Sequence, residues 1–409
     1  MIKLIIKNLL IILFYPLKYF IPKGKIIILG TNSPYHYSGN TRYLYEYLSS
    51  NIDADIFWHT ECDNVKNYLK SMGMRYISNS NPISFVWILL RAKVVVNDGD
   101  AYVNTFKIID NIFTSKINTG HGSNAKYALY NFKGIISIKE QISRLQKFNY
   151  INVASSYITK SFIDLYLVNN KQMISYGYPR CDQFFNKELV KKKYLKKSIA
   201  RSLNSKIDEN TRIILYTPTW RPYKYSLPIL DIPDFDAEDF NDYLDRNNYY
   251  FFYTVHSGNK PNLFLKNYSR IKFIDRKDYP LFDINSFMIE SDILLNDYSA
   301  TTTDYSLLDK AQLFCMPDYD YYWGHESMKF MRDGDSDQSL TGYRESIPGD
   351  EVHDYNAFKD KLNYIIGNYS SYINQYEDKK NIILSKYYDI QKSDSCARFK
   401  NLLEKILCP

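Results

Sequence analysis

SDILLNDYSATTTDY, residues Ser291 to Tyr305, is the stretch whose reading decides the fold. Ile293 to Leu295 is apolar without alternation, which is how a strand buried on both faces of a parallel sheet reads. Directly behind it come Asp297, Ser299, Thr301 and Thr302, residue types that cap and open helices. A buried strand running into a helix start is one βα unit. Working outward, the unit recurs. KIIILG (Lys25–Gly30) is an apolar run closed by glycine, and TRYLYEYLSS (Thr41–Ser50) has helical spacing. A strand is predicted over Ile52–His59, a helix over Val65–Met72 and a buried strand over Lys93–Asn97. Further on, Arg212–Tyr216, Tyr249–Val255, Ile271–Ile274 and Asp292–Leu295 read as strands, and Tyr355–Leu407 as polar helix. Strands alternating with helices predict α/β architecture with doubly wound parallel sheets.

A chain of 409 residues is too long for one such unit and fits two domains of about 150–200 residues. The reading divides it into an amphipathic helix at 1–22, Rossmann-like domains at 23–190 and 191–355, and C-terminal helices at 356–409. Between the domains, ELVKKKYLKK (Glu188–Lys197) is a basic helix former, read as a solvated face. The 40 tyrosines follow a general Tyr, Asn, Ile and Lys bias, which an AT-rich genome produces, so no role is assigned to them as a group. The formal charge of +7 suits an anionic membrane, a nucleotide or a phosphate-rich substrate. No nucleic-acid module is present. Cys62, Cys181, Cys315, Cys396 and Cys408 are scattered and odd in number, as in a reduced protein without zinc, and no metal-ligand spacing is visible.

MIKLIIKNLLIILFYPLKYF opens the chain with Lys3, Lys7 and Lys18 in an apolar run. Its uncharged part is far shorter than the roughly 20 residues of a spanning helix. An interfacial helix on the cytoplasmic face of the membrane is expected, with a helix packed on the first domain as the plainer alternative.

Strand-following loops hold the candidate site. In Asn118-Thr119-Gly120-His121-Gly122-Ser123, a histidine between glycines is open to a ligand and titrates where a general base should; a structural loop histidine is the alternative. Thr217, Thr219 and Arg221 follow RIILY and offer hydroxyls and a fork to phosphate oxygens; alternatively Arg221 pairs with a local carboxylate. His256 ends the Tyr249–Val255 strand and, with His121, is expected to face the cleft. At Asp297–Thr302, free N–H groups with Ser299, Thr301 and Thr302 suit a phosphate; the alternative is a plain helix cap. Neither GxxxxGK[ST] nor GxGxxG nor GxSxG occurs, which disfavours an NTPase, a dehydrogenase and an α/β-hydrolase.

Taken in order, GHGS (120–123), YGYPRCD (176–182), ILYTPTWRP (214–222), VHSG (255–258) and SDILLNDYSATTTDY resemble the CDP-glycerol glycerophosphotransferase family, which includes teichoic-acid primases and polymerases. NTRYLY (40–45) and IPG (347–349) extend the resemblance over roughly residues 25–355. It implies a GT-B arrangement with an acceptor-side first domain and a donor-side second domain. The family's HG motif falls on His121-Gly122, its second functional histidine on His256, and its arginines on Arg180 and Arg221. Its SD…DYSS segment falls on Ser291, Asp292, Asp297, Tyr298 and Ser299. Gly120 stands where the family has Trp, Lys126 is what remains of a lysine pair, and Ala300 replaces the second Ser. Tyr322-Trp323-Gly324-His325 stands in place of an RG element.

The resemblance implies transfer of a glycerol- or ribitol-phosphate unit from a CDP-polyol to a hydroxyl of a lipid-linked or polymeric cell-envelope acceptor, releasing CMP. His121 and His256 are then the catalytic pair. Arg180, Arg221, Thr217, Thr219, Asp297, Ser299, Thr301 and Thr302 hold donor phosphate, and Gly120, Gly122, Ser123 and Lys126 line the acceptor side. The CDP-polyol is the donor substrate; the sequence requires no other cofactor and leaves a divalent metal open. Two alternatives stay open: a GT-B glycosyltransferase using a nucleotide sugar, and a non-catalytic membrane protein that binds polyanions.

Overall fold

The structure, a computed structural model, describes residues 16–99, 113–122, 126–128, 138–203, 206–221, 227–255, 265, 268–324, 331–333, 343–389 and 391–408. Two parallel sheets organise it. The first runs β1 (Ile26–Gly30), β2 (Asp55–His59), β3 (Tyr76–Ile77), β4 (Val94–Asn97), β5 (Ser115–Asn118), then β7 (Tyr150–Val153) and β8 (Met173–Ser175) after the short β6 (Lys126–Ala128). Its spatial order is β3-β2-β1-β4-β5-β7-β8. The second holds β9 (Arg212–Tyr216), β10 (Tyr249–Tyr253), β11 (Ile271–Phe273), β12 (Ile293–Asn296), β13 (Ala311–Phe314) and β15 (Asp350–Glu351), ordered β11-β10-β9-β12-β13-β15. The remaining β14 (Met331–Asp333) pairs antiparallel with β6, a strand from each half.

The central strands form because their side chains are apolar on both faces: β1, β4, β9 from Ile213 onward, and β12 are buried throughout. In each sheet the order reverses beside the first strand, between β1 and β4 and again between β9 and β12. Those reversals open crevices at the carboxyl ends of the strands, where ligands of such sheets bind.

Boundaries shift from the sequence reading for local reasons. The strand predicted from Ile52 starts at Asp55, because the Ile52 N–H bonds Leu48 and closes helix α1 (Gly39–Asn51). The strand predicted to Val255 stops at Tyr253, where the Thr254 hydroxyl turns to the Ile274 carbonyl (3.3 Å). A helix not foreseen, α2 (Pro82–Arg91), starts with proline at its first turn and the Asn81 side chain accepting from the Ser84 N–H.

Helices α3 (Ser156–Tyr166), α4 (Lys187–Lys196) and α5 (Ser198–Leu203) lead from the first sheet to the second. In the basic α4 most lysines lie on the surface, but Lys193 turns inward to Gln183 (2.7 Å) and Ser286 (3.1 Å). Helix α6 (Ile284–Glu290) precedes β12, and the five-residue α7 (Thr301–Tyr305) follows it. The tail is helical, and its later helices α8 (Glu377–Tyr387) and α9 (Ser395–Leu407) return to the first half. Phe399, Leu402 and Leu403 of α9 join Leu44, Leu48 and Trp58 in the core of the first sheet. The Asp182 carboxylate accepts from the Ser395 and Cys396 N–H groups at 3.1 and 2.9 Å, capping α9 from that half.

The amphipathic helix predicted over 1–22 falls largely on Met1–Tyr15, which lie outside the described residues. Its described end departs from the expectation: Pro16–Tyr19 is a single 3-10 turn, since a proline cannot continue an α-helix from within. Phe20 beyond it is 80% exposed. No described helix is long and apolar enough to cross a membrane.

Candidate active site

The loop after β5 is built before any ligand arrives. Gly120 has φ +75°, and a Cβ there would lie 2.6 Å from the Asn152 carbonyl oxygen, so only glycine fits. This is the physical reason a tryptophan cannot stand here. The Gly120 N–H bonds the Asn118 side chain (2.7 Å) and its carbonyl accepts from Asn40 (2.8 Å). Asn152, buried in β7, donates to the carbonyls of Thr119 (3.0 Å) and Gly177 (2.8 Å), tying two strand ends together. With its neighbours' backbone groups taken up, the His121 side chain is presented outward and exposed.

Arg180 binds the halves at this point. Its Nη1 donates to the His121 carbonyl (2.9 Å), while Nε and Nη2 fork onto Asp304 of α7 at 2.8 and 3.3 Å. Both partners are nearly sealed, with side chains 7% and 4% exposed. The Tyr388 hydroxyl and Asn285 also bond Asp304. A Cβ on Gly122 would lie 3.1 Å from the Ala300 methyl and 3.4 Å from Arg180 Nη2. The small pair Gly122 and Ala300 therefore lets the histidine loop of one sheet touch the helix start of the other.

On the second sheet the predicted phosphate residues divide. Asp297 and Arg221 are committed inward: Arg221 Nη1 bonds Asp297, its Nε and Nη2 take Asp318 at 2.9 and 3.0 Å, and Asp297 also accepts the Thr219 N–H (2.9 Å). Tyr298 and Tyr322, stacked at 4.0 Å, flank the Arg221 guanidinium. Thr217, Thr301 and Thr302 form a hydroxyl cluster around Asn296, whose Nδ2 donates to the two latter hydroxyls at 2.8 and 2.6 Å. Thr217 Oγ1 lies 2.9 Å from Thr301 Oγ1. Ser299, Ala300 and Thr301 are partly exposed, and the Ala300 methyl lies against Gly122 of the histidine loop. The free N–H groups expected here are not found at the start of α7: the Thr301 N–H bonds the Ser299 hydroxyl (3.4 Å), the Thr302 N–H the Ser299 carbonyl (3.2 Å) and the Thr303 N–H the Ala300 carbonyl (3.2 Å).

Of the remaining sequence candidates, His256 and Ser123 lie outside the described residues, and Lys126 is placed only by its backbone in β6. Sequence reasoning missed Asp304, which pairs with Arg180, and Asp98, the residue after β4. Burial pushes the Asp98 carboxyl up to about 7, only partly offset by the Asn32 N–H and the Arg180 charge. The triplet Asn97-Asp98-Gly99 is a turn signature that marks the position. Facing loops also bring His36 and Arg276 near each other, and burial with the Arg276 charge holds His36 below its usual range. Among the described residues no three His, Cys, Asp or Glu side chains gather as a metal site would need.

Two parallel α/β sheets, with the histidine loop of one against the helix start of the other, define a two-domain α/β architecture. The profile of the CDP-glycerol:poly(glycerophosphate) glycerophosphotransferases matches residues 13–405, and the chain belongs to that family. It is 25% identical to the teichoic acid glycerol-phosphate primase of Bacillus subtilis (strain 168), over 88% of this chain and 87% of the primase. It is 24% identical to the teichoic acid glycerol-phosphate transferase of Staphylococcus aureus (strain NCTC 8325 / PS 47), over 92% of each. Structures of the wall teichoic acid polymerase TagF share the fold. One has a TM-score of 0.74 at 19% identity, covering 99% of this chain and 96% of that one. Another has a TM-score of 0.70 at 18% identity, covering 99% and 97%.

Proposed function

We propose that this chain transfers a polyol-phosphate unit from a CDP-polyol, of the glycerol or ribitol type, to a hydroxyl of a lipid-linked or polymeric cell-envelope acceptor. The observation that carries the reading is the junction of His121-Gly122 with Ala300, held by Arg180 on Asp304. It sets a candidate base from one sheet against a candidate phosphate site from the other.

In the proposed reaction the acceptor oxygen bonds the β-phosphorus, the bond from that phosphorus to the CMP oxygen breaks, and CMP leaves with the electron pair. His121 takes the hydroxyl proton. The segment Ser299–Thr302 holds the transferring phosphate, since positioning and electrostatics carry phosphoryl transfer. His256, assigned from its motif alone, is proposed to act on the leaving phosphate. Arg221 supports the site through Asp297 and the Thr219 backbone, because its own fork is occupied. Gly120, Gly122, Ser123 and Lys126 line the acceptor side.

The enzyme is proposed to work at the cytoplasmic face of the membrane, attached through residues 1–15. Co-sedimentation with anionic vesicles should be lost when those residues are deleted; retained binding removes that attachment.

Incubation with CDP-glycerol and CDP-ribitol tests the chemistry by following released nucleotide and product phosphorus. CMP release with phosphorus in the product is expected, whereas a nucleoside diphosphate would indicate glycosyl transfer. His121→Ala should slow transfer by about 10²–10⁴-fold. Wild-type turnover in a folded His121→Ala chain would remove the base from this scheme.

A further inference from the structure

Asp98 sits where β4 ends, at the reversal between β1 and β4, the place where ligands of such sheets bind. Asn97, fully buried, donates to the Gly30 carbonyl (3.0 Å) and accepts the Gly99 N–H (2.9 Å), fixing the turn from the β1 side. Asn118 donates to the Gly99 carbonyl (3.3 Å), fixing it from the β5 side. The product of this bracing is a carboxyl 6% exposed. Its Oδ1 accepts the Asn32 N–H at a long 3.3 Å. Its Oδ2 lies so close to Gly39 that a Cβ there would be 2.8 Å away.

The Asp98 carboxyl has no ion pair among the described residues. Arg180 is the charged group that reaches it, and that fork is taken by Asp304 and the His121 carbonyl. Among the described residues the Asn32 N–H bonds it and the Gly39 backbone lies against it. Asn97 and Asn118 are paired in register, so the chain leaves β4 at Asp98 alongside the loop that leaves β5 toward His121. Neighbouring strands lie about 4.8 Å apart. Arg180, which donates to the His121 carbonyl, is also the charge that reaches Asp98, so the carboxyl and the histidine loop share that arginine.

We propose that Asp98 binds the acceptor, its carboxylate accepting a hydrogen bond from a hydroxyl of the polyol unit that attacks, so that His121 meets that hydroxyl in line. The inference rests on the phosphotransfer reading above. The ionised form is the stronger acceptor, and the carboxyl ionises as pH rises through about 7. Hence kcat/KM for the acceptor should climb across that value. The sign for stability is opposite: a carboxyl whose folded pKa is raised is penalised once it ionises, so Asp98 costs stability increasingly as pH rises from its unfolded value toward about 7.

The test uses the full chain with CDP-glycerol and an oligo(glycerol phosphate) primer in detergent, comparing Asp98→Asn and Asp98→Ser with the parent. Expected are a fall of about 10-fold or more in kcat/KM for the primer, a KM for CDP-glycerol within about two-fold, a shallower rise near pH 7 than in the parent, and a higher thermal midpoint above that pH. Parent-like primer kinetics and pH profile in either variant overturn the proposal. So do equal losses on donor and primer, or a lowered midpoint in both variants, which mark a scaffold role. If the parent chain releases no CMP from any CDP-polyol, it is the phosphotransfer reading that fails, and that result is read without any variant.

Discussion

Arg180 and Arg221 show how burial sorts two similar residues. Each is sealed, each is bonded to carboxylates, and each stacks on tyrosine rings. Arg221 serves one sheet, whereas Arg180 joins a 3-10 segment of the first half to α7 of the second. Removing the Arg180 side chain leaves Asp304 buried beside Tyr388 without its cation, which costs about 3–5 kcal/mol. Arg180→Ala should therefore lower the urea midpoint sharply, and Arg180→Ala with Asp304→Ala should cost less than the two single losses summed. A strictly additive pair would mean that the two do not act as one contact. At this scale the sequence was half legible. It marked Arg221 as either a phosphate ligand or the partner of a local carboxylate, whereas the carboxylates it holds, Asp297 and Asp318, lie 76 and 97 positions away. It could not mark Asp304, because the acid that meets Arg180 lies 124 positions away, and no local pattern encodes such a pairing.

Elements were legible where they are buried on both faces. The strands β1, β4, β9 and β12 read as plain apolar runs because nothing polar can face either layer. Among the strands that escaped notice are β7 (YINV), β8 (MIS) and β13 (AQLF), three- or four-residue strands that each carry a polar residue. In β7 and β13 that residue is buried because distant groups satisfy it: Asn152 bonds Thr119 and Gly177, and Gln312 bonds Ser306 (3.1 Å). The histidine loop was legible from its two glycines, although the reason for each came only with the fold. Gly120 answers to a positive φ and the Asn152 carbonyl, and Gly122 to the approach of Ala300. Gly120→Ala would meet both a strained backbone, about 1 kcal/mol, and an overlap with main-chain atoms that cannot yield. The expected outcome is unchanged circular dichroism with transfer reduced at least as far as in His121→Ala, since the whole loop is displaced. Full activity in Gly120→Ala would show that the loop need not hold this shape.

At the scale of the whole molecule, the two sheets are joined twice. The forward connection is α4 and α5, with α5 pinned to the second half where buried Glu290 accepts from the N–H groups of Ile199 (3.0 Å) and Ala200 (2.9 Å). The return is made by the tail, where the Ser155 hydroxyl bonds the Lys386 carbonyl (2.6 Å) and α9 closes over the first sheet. A helical tail was legible from its spacing, but its destination was not, because a 3.6-residue stripe says that a face is buried and not against what. The consequence is that residues 395–408, although last in sequence, complete the first domain. Deleting them uncovers Leu44, Leu48 and Trp58 and leaves Asp182 without the N–H groups it caps. Losing Phe399, Leu402 and Leu403 from the core forfeits about 1.5–3 kcal/mol each. The sum approaches the roughly 5–15 kcal/mol by which a domain is stable at all. Limited proteolysis of the shortened chain should therefore cut first within residues 23–190, far from the deletion, while the second sheet persists as a resistant fragment. Cleavage confined to the new C-terminus would show that α9 only covers the first sheet and does not hold it together.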